Sequence, residues 1–434
     1  MHGSARLVLR AFGSPRAGGS MTLIKTSLLS LISTAAKMLA GLVISKALAL
    51  YVGPSGLALV GQFQNFTQLL MTAAKGAIDT GVTKYTAEYG NDSERLARLF
   101  STAFRISLAS SAVVGVVLVV ASTSVSSYFL HSESYGYVVV MFGFTIGLFV
   151  LNNLLVCILN GLHEIRTYIA INIVQSLFTL VLTSVLIALL RLDGALIALV
   201  TNQSLVLIVV LWKLRRHPLI RPANFLKGFD AGDASRLSRY ALMTVVSAVV
   251  APVSTMLIRD HITRTIGLEE AGYWQAAWYI SSIYLTVVTT SLALYYLPKL
   301  SMTIGNRQIR SELKSGYLTI MPIVALMAVS IYAGKEFIVK LVFTSEFSPM
   351  LVLFKWMLIG DVVKLASWLV SYLLLAKAMT KAFITTEIVF SASFVLLTMA
   401  LTPHYGLQGV MIAHALNYTA YLITLVLLTR KLWK

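Results

Sequence analysis

The stretch GALIALVTN, residues 194–202, recurs later in the chain as GVMIAHALN, residues 409–417. The same offset of 215 positions places the RTY of residues 166–168 on the KAF of residues 381–383. An offset that stays constant through loops and polar positions goes beyond the general likeness of apolar helices. The sequence therefore predicts that the second half of the chain repeats the first.

The composition indicates a membrane protein. Hydrophobic residues make up 57% of the 434 positions and charged residues only 12%, and the mean hydropathy is +0.81. Soluble domains carry about 25% charged residues. A membrane span needs roughly 20 apolar residues. That template predicts twelve spans, at residues 29–50, 56–79, 106–129, 138–159, 168–190, 194–212, 240–259, 271–297, 317–333, 351–375, 383–401 and 406–428.

Six spans per repeat is an even number, so both halves enter the membrane from the same side and are related by an axis along its normal. The expected fold is an all-α polytopic membrane protein with twelve transmembrane helices in two pseudo-symmetric six-helix lobes around a central cavity. The lobes would be residues 21–212 and 240–434, joined by a basic cytoplasmic linker at 213–239. We expect residues 1–20 to be a flexible basic extension, with Met21 the more natural beginning.

The net charge of +18 follows the predicted topology. If the N-terminus is cytoplasmic, 25 of the 35 Lys and Arg residues fall in inner segments and 5 in outer ones, with Arg259 counted among the outer five. This is the positive-inside pattern, and it places both termini and the linker in the cytoplasm. The basic balance therefore reflects orientation and contact with anionic lipids and not nucleic-acid binding.

Cofactor chemistry finds no support in the sequence. The single cysteine, Cys157, lies inside a predicted span, so neither a disulfide framework nor a thiol metal site is expected. The chain contains no GxxxxGK[ST] phosphate-binding loop. We expect no metal and no cofactor, and any energy input would come from an ion gradient, a substrate gradient or a separate subunit.

Polar residues form a stripe on the second predicted span. At 100° per residue they fall within an arc of about 100°. The stripe could serve interhelical hydrogen bonding or could line a water-filled cavity. Span one adds Lys37, at a depth of about 15 Å. The stripe consists of Gln64, Asn65, Gln68, Thr72, Lys75 and Asp79.

Span ten carries two charges near its middle, Asp361 and Lys364. They are three residues apart, so their side chains can meet on one helix face and lower the cost of burial. We expect this pair to open when Lys364 engages an anionic head group, leaving Asp361 free to take a proton. Glu387 and His414 add titratable groups in the last two spans, with His414 predicted to be a hydrogen-bonded packing residue. The excess of buried lysines indicates an anionic substrate.

Five short motifs resemble those of the Wzx polysaccharide-repeat-unit flippases, most closely the branch that handles enterobacterial common antigen. The resemblance implies membership of the multidrug/oligosaccharidyl-lipid/polysaccharide exporter superfamily. It further implies that an oligosaccharide on undecaprenyl pyrophosphate, from enterobacterial common antigen or an O-antigen, moves from the cytoplasmic to the periplasmic leaflet of the bacterial inner membrane. Alternating access with proton or cation coupling is expected. The motifs are GVTKY (81–85), WQ (274–275), YLP (296–298), GDVVK (360–364) and AK (376–377).

On this interpretation the chain is a transporter and not an enzyme. Its partners would be the lipid-linked glycan, the bilayer and, as candidates, the Wzy polymerase and the Wzz chain-length regulator. The expected ion-coupling residues are Asp79, Asp361 and Glu387. The expected substrate-binding residues are Lys37, Asn65, Gln68, Lys75, Trp274, Gln275 and Lys364.

Other functions fit the sequence less well. A multidrug-type exporter of small molecules would favour acidic cavity groups for cationic drugs, against the lysine excess seen here. A membrane enzyme acting on lipid-linked sugars would need a large extramembrane loop, whereas the longest outer loop, 124–137, offers only His131 and Glu133. A scaffold would have no reason to retain charges in the middle of its spans.

Overall fold

The computed structural model describes residues 19–432 apart from positions 91, 216, 218 and 378, so most of the predicted extension 1–20 lies outside it. The described residues are helical and contain no strand. The first half comprises α1 (Gly19–Tyr51), α2 (Gly53–Ala74), α3 (Asp79–Tyr89), α4 (Ser93–Val120), α5 (Ser122–Leu130), α6 (Gly136–Gly161) and α7 (Ile165–Leu214). The second half comprises α8 (Pro222–Phe225), α9 (Ala231–Thr265), α10 (Leu268–Ser291), α11 (Leu297–Met302), α12 (Asn306–Ala333), α13 (Lys335–Val342), α14 (Phe354–Ala376), α15 (Thr380–Tyr405) and α16 (Leu407–Thr429).

The predicted twelve-span, all-helical fold is confirmed. Eight segments of the described chain are long and apolar enough to cross a membrane. One of them, the 50-residue α7, contributes two spans because its backbone reverses at Arg191, where φ is +51°. The remaining three spans are α2, α9 and α10, whose polar side chains lower their mean hydropathy. Polar residues within spans usually mark functional sites, so these three helices are of particular interest.

Three predicted span ends differ from the helices, among them the end of span seven, because α9 continues past residue 259 to Thr265. Span two does not continue to Asp79, because α2 ends at Ala74. The next residues include Gly76 and Ala77, both at positive φ, and this left-handed conformation terminates a helix. Span three does not continue to residue 129, since α4 ends at Val120 and α5 follows as a separate helix.

The sequence repeat is matched in the packing of two helical hairpins. At Gly194, in the turn inside α7, an added Cβ would collide with the carbonyl oxygen of Leu186. At Gly409, near the start of α16, an added Cβ would lie 2.6 Å from the carbonyl oxygen of Leu401. Both pairs are related by the offset of 215 found in the sequence. Each half therefore closes its last hairpin through the same glycine-to-backbone contact.

Packing divides the chain into two compact units. The first unit extends to Ile44 and includes Leu70–Leu189 and Asp193–Val245. The second unit contains Ser45–Leu69, Leu190–Leu192 and the chain from Val246 onwards. The end of α1 and most of α2 thus pack within the second unit. The lobes at 21–212 and 240–434 remain a prediction, since they describe repeated sequence and not compactness.

The basic linker, residues 213–239, packs against the first unit. The backbone N–H of Asp230 donates to Thr102 Oγ1 at 2.9 Å, and the hydroxyl of Tyr89 donates to Asp233 Oδ1 at 2.7 Å. Burial and this hydrogen bond to Asp233 raise the pKa of Tyr89 to about 12. The described residues of the linker therefore belong to the first unit, and α9 begins among them at residue 231.

Candidate substrate and coupling sites

Asp361 lies at the meeting point of three helices in the second unit. Its side chain is fully buried in α14. Oδ2 accepts hydrogen bonds from Ser281 Oγ at 2.7 Å and from the Tyr284 hydroxyl at 2.6 Å, both on α10. Oδ1 lies 3.1 Å from Nε2 of His414 on α16. Three donors therefore stabilise a carboxylate that has no access to bulk water.

The residue before Asp361 makes this arrangement possible. An added Cβ at Gly360 would collide with Cδ2 of the His414 ring. The missing side chain lets α16 approach α14 closely enough for the imidazole to reach the carboxylate. Gly360 and Asp361 thus act together in placing His414, which is the hydrogen-bonded packing residue that the sequence predicted.

Lys364 does not form the expected ion pair with Asp361. Asp361 is engaged by His414 and two hydroxyls, and the Lys364 ammonium instead sits among aromatic rings. Its Nζ lies 5.0 Å from the ring centroid of Trp278 and 5.1 Å from those of Trp368 and Tyr418. The spacing of three residues allowed a pair, but partners on other helices decided the outcome.

The aromatic cage holds a cation while leaving its donors available. Lys364 is only 7% exposed, and its ammonium has no hydrogen-bond acceptor among the described residues. Each desolvated cation–π contact is worth about 2 kcal/mol, so three rings offset part of the burial cost of several kcal/mol. The charges of Asp361 and Glu387 also act on this ammonium. The oxygens of an incoming anion could accept hydrogen bonds from the Lys364 ammonium, which the aromatic rings do not accept.

In the first unit, Lys75 and Asp79 form an ion pair at 2.7 Å across the turn that ends α2. Asp79 also accepts a hydrogen bond from Asn153 Nδ2 at 2.9 Å. Both side chains are partly exposed. The two predicted site residues are thus brought together, although by a turn and not by the predicted continuous helix. Lys75 is already neutralised by its neighbour.

Lys37 has a neutral partner. Its Nζ donates to Asn172 Oδ1 on α7 at 2.7 Å, and Asn172 is itself buried and donates to the Tyr168 carbonyl oxygen. No carboxylate lies within ion-pair distance of Lys37 in the described part of the chain. Lys37 is therefore a cation whose partner among the described residues is neutral, and its role in binding substrate stays a prediction.

The remaining predicted binding residues belong to the second unit. Gln68 is exposed on α2 and Asn65 is half-buried, whereas Trp274 on α10 is fully buried. Gln275 accepts a hydrogen bond from Arg259. Trp274 is thus placed for packing against Arg259 and not for direct access from water in this conformation.

Sequence reasoning missed Arg259, which it counted as an outer-loop residue. The structure buries its side chain to 2% exposure, because α9 continues for six residues beyond it, to Thr265. The spacing of Asp260 and Arg264 at i and i+4 is a signal of that continuing helix, since such pairs form on helix surfaces. Among the described residues, no group of three or more His, Cys, Asp or Glu side chains could hold a metal ion.

Comparison with known proteins identifies the family of this chain. A profile described as polysaccharide biosynthesis protein matches residues 23–304, which is more than half of the chain. The chain belongs to this polysaccharide biosynthesis family. It is 30% identical over 402 residues to the lipid III flippases of Escherichia coli K12 and Shigella flexneri, covering 92% of this chain and 96% of each relative. The predicted resemblance to flippases of lipid-linked sugars is confirmed.

Solved structures of other membrane transporters share the fold of this family member. An inward-facing multidrug resistance transporter of the MATE family superposes with a TM-score of 0.76 at 15% identity, covering 91% of this chain and 94% of that one. The lipid II flippase MurJ in an inward closed conformation superposes with a TM-score of 0.73 at 13% identity, covering 94% of this chain and 87% of that one. At these identities the likeness concerns architecture alone.

Proposed function

We propose that this chain is a flippase that moves oligosaccharides linked to undecaprenyl pyrophosphate from the cytoplasmic to the periplasmic leaflet of the bacterial inner membrane. The observation that carries the proposal is the match to the lipid III flippases over nearly their whole length. The substrate would be a unit of enterobacterial common antigen or of an O-antigen. Movement would occur by alternating access.

The charges of the interior support an anionic lipid-linked substrate. A pyrophosphate with a sugar head cannot cross hydrocarbon unaided, but it can occupy a hydrated cationic cleft while its polyprenyl tail stays in lipid. Among the residues that the structure describes, the Lys364 ammonium has no hydrogen-bond acceptor and the Lys37 ammonium has only an amide partner. Lys75 would have to exchange Asp79 for the substrate, so its contribution is smaller.

Asp361 is our proposed coupling residue. An anion bound at Lys364 cancels the positive field near the Asp361 carboxylate and therefore favours its protonation. A protonated carboxyl still accepts from Ser281 and Tyr284 through Oδ2, but its new O–H faces the Nε2–H of His414, so this imidazole must move its proton to Nδ1 or turn away. Since His414 lies on α16, proton uptake by Asp361 would act on the contact between α14 and α16. Glu387 and Asp79 are further coupling candidates.

We also propose an orientation of the chain in the membrane and two partner proteins. The excess of Lys and Arg in one set of loops supports cytoplasmic termini and a cytoplasmic linker. A flipped repeat unit must be consumed in the periplasm, so a polymerase of the Wzy type and a Wzz chain-length regulator are the proposed downstream partners.

The deciding experiment is depletion of the protein from cells that make lipid-linked glycans. We expect one undecaprenyl-pyrophosphate-linked glycan to accumulate on the cytoplasmic face and to clear when the protein is restored. A multidrug exporter of the MATE type would instead leave glycan levels unchanged and raise sensitivity to cationic drugs. Unchanged glycan distribution would refute the proposed function.

A further inference from the structure

Arg259 is a buried cation with no counter-charge. Its side chain is 2% exposed, and no carboxylate among the described residues lies within 4 Å of its guanidinium. The adjacent acid, Asp260, pairs instead with Arg264 at 2.9 Å. An isolated buried charge costs several kcal/mol unless a partner compensates it. Arginine keeps its proton in almost every environment, so the charge persists and a ligand anion would compensate it.

The present partners of Arg259 are neutral. One terminal nitrogen donates to Gln62 Oε1 on α2 at 2.9 Å, and the other donates to Gln275 Oε1 on α10. Gln275 reaches this position because Gly61 lacks a side chain, where an added Cβ would lie 2.7 Å from Gln275 Cδ. The guanidinium also lies 5.4 Å from the Trp274 ring centroid. Two amide oxygens therefore occupy the positions at which a guanidinium normally binds an oxyanion.

Several donors around Arg259 have no acceptor. Arg259 Nε and Trp274 Nε1 are both buried without a hydrogen-bond partner among the described residues. Asn65 Nδ2 is a third such donor, and Asn65 lies one helical turn from Gln62 on the same face of α2. Each unsatisfied buried donor costs about 1–3 kcal/mol. All three unsatisfied groups are N–H donors, so the missing component is an acceptor.

We propose that Arg259, Trp274 and Asn65 form an oxyanion site for the pyrophosphate of the lipid-linked substrate, in which Gln62 and Gln275 hold the guanidinium until phosphate oxygens replace them. This inference rests on the proposed function and adds to it a binding residue other than the lysines. The planar guanidinium suits a pyrophosphate because it can bind two oxygens side by side.

The test measures ligand binding by the purified full-length protein in lipid nanodiscs. The probes are farnesyl pyrophosphate, farnesol and inorganic pyrophosphate. We expect the wild type to bind farnesyl pyrophosphate and not farnesol, and Arg259→Gln to weaken that binding about 10- to 100-fold, as expected for lost charge-assisted hydrogen bonds. Arg264→Gln, on the same helix, is the matched control and should bind as the wild type does. The same loss with inorganic pyrophosphate would show that the anion suffices, whereas a loss with farnesyl pyrophosphate alone would show that the lipid is also required.

A second variant separates binding from folding. Gln275→Leu removes one of the amides that compete for the guanidinium, so it should tighten farnesyl pyrophosphate binding several-fold. If Arg259 and Gln275 served only to hold helices together, Gln275→Leu would weaken farnesyl pyrophosphate binding or leave it unchanged. Wild-type affinity in Arg259→Gln, or unchanged or weaker binding in Gln275→Leu, would overturn the inference. If depletion leaves glycan export intact, the proposed function falls independently of either result.

Discussion

Replacing Asp361 with asparagine should remove a charge and leave the local geometry in place. The amide oxygen can still accept from Ser281 and Tyr284, which now both bond to Oδ2. The new NH₂ group would face His414 Nε2. The imidazole can accept that hydrogen bond by moving its proton to Nδ1, which has no other partner among the described residues. The variant should therefore fold.

The expected change in stability is small because two large effects oppose each other. A hydrogen bond to a charged group contributes about 1.5–3 kcal/mol and a neutral one about 0.5–1.5 kcal/mol, so three weakened bonds lose roughly 3–5 kcal/mol. Removing the carboxylate also removes its burial cost of several kcal/mol. The net change in the free energy of unfolding of Asp361→Asn should be within about 2 kcal/mol.

Export is predicted to change much more than stability. In vesicles with an imposed pH gradient, the wild type should export glycan faster as the gradient grows. Asp361→Asn should export slowly at a rate that the gradient does not alter, since an amide cannot take up a proton. Asp260→Asn, which removes a carboxylate from an ion pair near the end of α9, is the matched control and should keep the wild-type response.

Two results would refute this reasoning. One is an Asp361→Asn protein that exports at the wild-type rate with the wild-type dependence on the gradient. The other comes from combining it with Lys364→Gln. We expect both single variants to impair export and the double variant to remain impaired. A fully active double variant would mean that the two charges only compensate each other, in spite of their separate partners in the structure.

Three further predictions concern topology, substrate binding and the repeat. In a cysteine-free background, a cysteine replacing His404 should react with an impermeant reagent added outside, whereas one replacing Lys227 should not; external labelling at 227 would contradict the proposed orientation. Lys37→Glu should abolish glycan export while the protein still reaches the membrane, and Lys37→Arg should retain part of it; normal export by the Glu variant would exclude a cationic role there. Gly409→Ala should destabilise the protein by about 1–3 kcal/mol because its Cβ would press on the Leu401 carbonyl, whereas Gly136→Ala, which meets open space, should stay within about 0.5 kcal/mol in the same thermal unfolding assay.

The sequence alone determined the class of this protein and its repeat. Apolar segments of span length fixed the number of helices, because hydrocarbon leaves the backbone few alternatives to a helix. The offset of 215 residues that aligns Asn202 with Asn417 also aligns Thr183 with Thr398. In the structure Asn202 donates to Thr183 Oγ1 at 2.8 Å, and the corresponding Asn417 and Thr398 are both buried. Short-range periodicity and repeated spacing carry this information, so no tertiary structure was needed to find it.

Only the tertiary structure decided which side chains act together. Asp361 and Lys364 lie three residues apart, but the carboxylate bonds to His414 and the ammonium to three rings, because those groups come from helices distant in sequence. The composition of the sequence placed Arg259 at the end of a predicted span, whereas the packing of neighbouring helices buries its side chain. Helical periodicity fixes the depth of a residue and its face, but not what the facing helix presents. That choice depends on how α10, α14 and α16 pack, and it determines whether a buried charge is compensated or left available for a ligand.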